Sequence, residues 1–205
     1  MSATSALRLA AIASLAALTS ACALGERPTL AEQAPISDEA ASVVMQQLQS
    51  VADDSFVATY VITPSSADEP TAATVTRTGD GVVTAQIGSV VYTSNPDGRT
   101  TTCVADGTNC DDFANDARIS DLAVTHLFWG PSFERRLQTD SGRRIGTSGL
   151  SEATIAGQAA TCVEVKVPSS LEAVGTVTYC AIEPGLLARY YGADVLIEMS
   201  SFQST

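Results

Sequence analysis

The chain has one histidine and one tryptophan in 205 residues, and aromatic residues make up only 5% of it. Each scarcity excludes something. His126 is the only histidine and no two cysteines stand in a C-x-x-C spacing, so a zinc site lacks its ligand set. Serine hydrolysis needs a nucleophile elbow, and Gly146-Thr147-Ser148-Gly149-Leu150 does not match the G-x-S-x-G pattern. Glycine-rich motifs that cradle a phosphate or a dinucleotide are absent, so no nucleotide cofactor is expected. Lys and Arg number 11 against 23 Asp and Glu, a formal net charge of -12, which excludes docking along a nucleic-acid backbone. The expectation is a protein that is not an enzyme, with no catalytic residue, no metal and no cofactor.

What is present begins with the amino terminus. Arg8 precedes the apolar run Leu9 to Leu18, and small residues Thr19-Ser20-Ala21 lead to Cys22. That order is the pattern of a secretory signal over 1–21. The run is too short and too rich in alanine for a membrane span, which needs roughly 20 strongly apolar residues. Leu18 to Cys22 resembles the lipobox of bacterial lipoproteins, which implies a cysteine acylated by diacylglycerol and palmitate-type chains. A conventional signal cleaved between Ser20 and Ala23 is the other reading, and both export the protein. Residues 22–36 read as a polar tether interrupted by Gly25, Pro28 and Pro35, and 37–205 as a single domain. Loss of Arg8 with the signal makes the remainder one charge more acidic. Its membrane contact would then run through a lipid on Cys22 and not through a basic face.

Setting Cys22 aside leaves four cysteines. In an oxidising compartment these form two disulfides, and the sequential pairing, Cys103 with Cys110 and Cys162 with Cys180, closes the shortest loops of the three possible connectivities.

Ser37 and the acids Asp38 and Glu39 predict a helix start, and Val43, Val44, Leu48 and Val51 fall on one face of a helix over 38–50. Beyond Asp54, short runs rich in Val, Thr, Ile and Tyr predict strands over 55–63, 71–78, 81–87, 90–94 and 99–104. Gly79-Asp80-Gly81, Asn95-Pro96-Asp97-Gly98 and Asp106-Gly107 punctuate them as turns. Ile119, Leu122, Ala123, Leu127 and Phe128 recur near the helical repeat, so 111–138 reads as a helical insertion broken at Gly130-Pro131. Strands follow over 149–155, 159–167, 175–182, 185–191 and 194–200. The sum is an α+β fold, a curved antiparallel sheet covered on one face by helices.

Two clusters and one histidine invite chemistry. Asp111, Asp112, Asn115, Asp116 and Asp121 lack the alternation and the sixth-position glycine of a calcium loop, and read as helix capping on a solvated face. Arg135, Arg136, Arg143 and Arg144 suit either salt bridges within an acidic protein or an anionic headgroup. His126, amid apolar neighbours, reads as a packed or rim residue.

The layout from Ile36 to Ser200, with the phrases Thr154 to Cys162 and Tyr179 to Leu187, resembles the half-barrel lipoprotein carriers of the LolA, LppX and LprG kind. Scarce lysine, with Lys166 alone against ten arginines, agrees with an actinobacterial coding style. The resemblance implies an envelope lipoprotein on the outer face of the cell membrane, with a lipid cavity between sheet and helices. Leu122, Leu127, Phe128, Trp129 and Phe133 are the candidate cavity residues, the segment from Leu122 to Phe133 acting as a helical gate. Aromatic residues this scarce serve equally well as core packing. The alternative is an envelope interaction or sensor protein with a packed core and an unknown protein partner.

Overall fold

The computed structural model describes residues 36–50, 54–67, 69–168 and 174–204. The expected signal over 1–21, the tether up to residue 35 and Cys22 lie outside the described residues. The compact unit from Ile36 onward carries α1 (Glu39–Gln49), β1 (Phe56–Pro64), β2 (Thr71–Arg77), β3 (Val83–Ile87), β4 (Val90–Ser94), β5 (Thr100–Val104), a 3-10 stretch (Asp116–Leu122) and α2 (Pro131–Gly142). There follow β6 (Gly149–Ile155), β7 (Gln158–Pro168), β8 (Val174–Ile182), β9 (Leu186–Tyr191) and β10 (Val195–Ser204). Among the described residues no helix is long and apolar enough to cross a membrane.

All ten strands form one curved antiparallel sheet in the order β5-β4-β3-β2-β1-β10-β9-β8-β7-β6. Each half is a meander of hairpins, which the turn sequences dictate locally. The two meanders join where β1 pairs with β10, from Phe56 opposite Ser204 to Pro64 opposite Val195, with a bulge at Thr59/Tyr60. This seam is the non-local step of the topology. Every second residue of β1, from Phe56 through Ala58 and Tyr60 to Ile62, is buried, so the alternation sets one apolar face across the seam.

Two helices lie over the β6–β9 half. Asp38 caps α1, its carboxylate accepting from the Ala41 amide at 2.9 Å. Ala41, Val44, Met45 and Leu48 form the buried stripe of α1, whereas Val43 faces solvent. In α2 the buried face is Phe133, Leu137, Asp140 and Ser141.

One expectation is overturned. The segment 111–130 is not a helix broken at Gly130-Pro131. It has only the short 3-10 stretch, kinked at Ile119, which ends at Ala123 with φ of 55°. Pro131 opens α2 as its first residue, where the missing amide costs nothing and the fixed φ favours the helix. Gly130 is needed for a different reason, since a Cβ there would stand 3.2 Å from the Gly185 carbonyl oxygen.

The structure pairs Cys103 with Cys110 and Cys162 with Cys180, the latter directly opposite each other on β7 and β8.

The Asp38 cap also ties α1 to the chain beyond α2. Burial pushes its carboxyl upward, but hydrogen bonds from Ala41 and Ser148 and the Arg144 charge, at 3.0 Å, outweigh this and hold it below the ordinary carboxylate value. A carboxyl depressed in the folded state contributes stability that is full above its unfolded value, about 4, and is lost as pH falls through the folded one. Asp38→Asn keeps a capping side chain but removes the charge. The urea midpoint of this variant should fall less steeply than wild type from about pH 5 to about pH 2; parallel curves would show that the charge contributes nothing.

Candidate functional site

The other half of the sheet, β1 to β5, is covered by an irregular strap, residues 105–130, and not by a helix. On the covered face, Ala58 pairs with Val75 and Val75 with Ala85 across three strands, while Tyr60, Ala73 and Ile87 form the next row. All six are buried. Three alanines in two rows leave a shallow trough, and side chains of the strap fill it.

Phe128 is fully buried and meets the Tyr60 ring edge-on at 5.0 Å. Trp129 is 5% exposed and lies 6.4 Å from Phe56. Leu122 and Ile119 are buried in the same core, and Leu127 is half-buried. Of the five residues expected to line a cavity, Leu122, Phe128 and Trp129 therefore act as a plug delivered by the strap. Phe133 belongs to α2 and packs on Tyr179 and Tyr190. The segment expected to be one helical gate is thus two pieces, an irregular strap and the first turn of a helix. A groove of about 320 Å³ runs where they meet, between Ala123 to Thr125 and Ser132 to Arg136.

Polar anchors hold the strap. The Cys103–Cys110 disulfide closes its first turn. Thr102 is fully buried: its backbone exchanges both hydrogen bonds with Asp111, and its hydroxyl donates to the Phe113 carbonyl at 2.8 Å and accepts from the Asn115 amide at 2.9 Å. Tyr92 donates to the Asn115 carbonyl at 3.1 Å. Burial, with the Asp116 charge second, pushes the Tyr92 phenol up to about 12, so it stays a donor at neutral pH. Arg118 reaches Asp111 at 2.8 Å and the Asn109 carbonyl at 2.7 Å. The acidic cluster is therefore structural, but it ties turns together and does not cap a helix: Asn115 makes no side-chain cap.

His126 takes part in the same lacing. Its amide donates to Asp116 Oδ1 at 2.9 Å, its Nδ1 lies 2.9 Å from the same oxygen, and its ring stacks on Tyr92 at 5.2 Å. At the far end the Leu187 amide donates to the Trp129 carbonyl at 2.7 Å, joining the strap to β9.

Beneath α2 lies a network that realises the salt-bridge reading of the arginine concentration and adds a buried acid, Asp140, which that reading did not name. Asp140 is 2% exposed, accepts from the Tyr179 hydroxyl and from Arg143 at 2.6 Å. Burial and then the Asp140 charge push the Tyr179 phenol far above its ordinary value. Arg136 pairs with Asp194 at 2.5 Å and lies 4.5 Å over the Tyr190 ring. Gly192 makes room for that ring, since a Cβ there would stand 2.0 Å from the Tyr190 hydroxyl. With Arg144 on Asp38, three of the four arginines of the basic concentration are in ion pairs, while Arg135 is exposed on the rim of the groove. The arginine concentration signalled the ion pairs, while the burial of Asp140 could be sought only in its spacing with Phe133, Leu137 and Ser141.

Among the described residues no group of three or more His, Cys, Asp or Glu could hold a metal ion. The site's chemistry is that of a packed apolar trough under a polar-laced cover.

No protein-family profile and no curated protein sequence matches the chain. Among solved structures it is similar to MucB, with a TM-score of 0.45, 14% identity, and coverage of 82% of this chain and 60% of that one. The MucA/MucB complex of Pseudomonas aeruginosa gives 0.43 at 12% identity over 79% and 57%. The LolA superfamily protein NE2245 from Nitrosomonas europaea gives 0.37 at 9% identity over 80% and 92%. The chain spans less than two thirds of those MucB chains. None of these likenesses assigns it to a family.

Removing Asp116 deletes both hydrogen bonds that hold His126, worth about 1–2 kcal/mol together. In Asp116→Ala, amides of 116–128 should exchange with solvent about tenfold faster while those of β7 and β8 keep their rates. Equal acceleration in both halves would mean that the strap opens only when the whole sheet unfolds.

Proposed function

We propose that the chain is an exported, non-enzymatic protein of the cell envelope, anchored to the outer face of the cell membrane by a lipid on Cys22, which binds a hydrophobic ligand in the trough now filled by its own strap. The observation that carries this reading is the origin of the plug. Phe128 and Trp129 fill a sheet face furnished with alanines, and they come from a segment without regular structure that is fastened by polar anchors. A covering of that kind can lift while the sheet stays paired.

Magnitudes set the ligand. Taking a buried Phe or Trp out of a core costs about 3–5 kcal/mol, so displacing both costs about 6–10 kcal/mol. An acyl chain regains about 0.8 kcal/mol per methylene buried. Break-even thus needs about eight to twelve buried methylenes. Short-chain ligands fall below it and membrane-lipid acyl chains lie above it.

A second reading has its own support. The trough is filled in the structure, so the closed form is complete as it stands, and an acidic exterior suits an envelope interaction or sensor protein with a protein partner.

The full chain, isolated from an actinobacterial host and examined by native mass spectrometry with lipid extraction, separates the two. The ligand reading expects a stoichiometric lipid adduct with acyl chains longer than about twelve carbons, in addition to any mass on Cys22. A bare domain with four oxidised cysteines and no adduct would favour the packed reading.

A further inference from the structure

Tyr60 is an anomaly of the trough floor. It is 1% exposed, and its hydroxyl has no hydrogen-bond partner among the described residues. Two other buried tyrosines are handled differently: Tyr92 donates to a backbone carbonyl and Tyr179 to a carboxylate. A phenylalanine at position 60 would fill the same volume without stranding a polar group, and a stranded buried hydroxyl destabilises the closed form. Burial alone drives the phenol well above its ordinary value, so the group is a neutral O–H donor.

Its place explains what it could serve. The Tyr60 ring is met edge-on by Phe128, the residue that must leave if the trough is to accept anything else. We infer that the Tyr60 hydroxyl is the polar anchor of the ligand site, donating a hydrogen bond to the carbonyl oxygen of an acyl ester when the ligand takes the place of Phe128. The inference rests on the ligand reading above and sharpens it. The ligand is then an ester-linked acyl compound whose carbonyl sits within the trough, and not a plain hydrocarbon. The stranded hydroxyl of the closed form is satisfied only in the loaded one, which biases the protein toward loading.

The test uses the full chain and Tyr60→Phe, an isosteric change that leaves folding intact. Each is loaded with a dansyl-labelled hexadecanoic acid, which is then displaced by methyl myristate or by pentadecane. Tyr60→Phe should raise the melting temperature and weaken methyl myristate about five- to tenfold, while pentadecane displaces equally from both proteins. Equal methyl myristate affinities, or a lower melting temperature in Tyr60→Phe, would overturn the anchor role while leaving ligand binding standing. Failure of wild type to bind the dansyl probe, methyl myristate or pentadecane would overturn the ligand reading and the anchor with it.

Discussion

A curved sheet that buries one largely apolar face across its central strands must be covered, and the rest of the molecule is organised by how the two halves meet that demand. Over β6 to β9 the cover consists of two helices whose buried stripes and the Asp140 network fix them in place. Over β1 to β5 it is a strap with one short 3-10 stretch, whose apolar contribution is concentrated in Ile119, Leu122, Phe128 and Trp129. The first cover is held by packing along whole elements. The second is held by the burial of those few side chains and by separate polar anchors at Thr102, Asp111, Asp116 and the Trp129 carbonyl, each anchor worth about 1 kcal/mol. Contacts of that kind break one at a time, and opening of the strap without the sheet, as proposed above, rests on this difference.

The seam between β1 and β10 makes such asymmetry possible. The strands of the two meanders pair with each other only there, so the proposed change of cover on one half leaves the strand pairing of the other intact. Tyr60 sits on β1, beside the bulge in that seam. Its unmet hydroxyl lies under the strap and not under the helices, where Tyr179 has a carboxylate.

Strands were legible in the sequence because hairpin turns announce themselves. Gly79-Asp80-Gly81 and Asn95-Pro96-Asp97-Gly98 set the ends of β2 to β5 within two residues of the expected positions. The strap was not legible, because Ile119, Leu122, Leu127 and Phe128 recur at helical spacing although their burial follows a path around a kink at Ile119 and a left-handed Ala123. Apolar spacing reports which residues face a core and leaves open whether one helix carries them. Gly130-Pro131 misled for a related reason, since a proline that ends one helix is also the best residue to begin the next. The burial of the Tyr60 hydroxyl under Phe128 and the bond from Tyr179 to Asp140 join residues far apart in the chain. Local patterns carry no trace of them.

The central claim is that Phe128 and Trp129 leave the trough when a ligand enters it. Trp129 is the only tryptophan, so its fluorescence reports that event alone. Emission from the full chain should shift to the red and saturate at one equivalent as a long-chain acyl ester is added, because an indole released from the core meets water. An emission maximum that stays fixed across the titration while the ester binds would contradict the account, placing the ligand elsewhere and leaving the strap as permanent core.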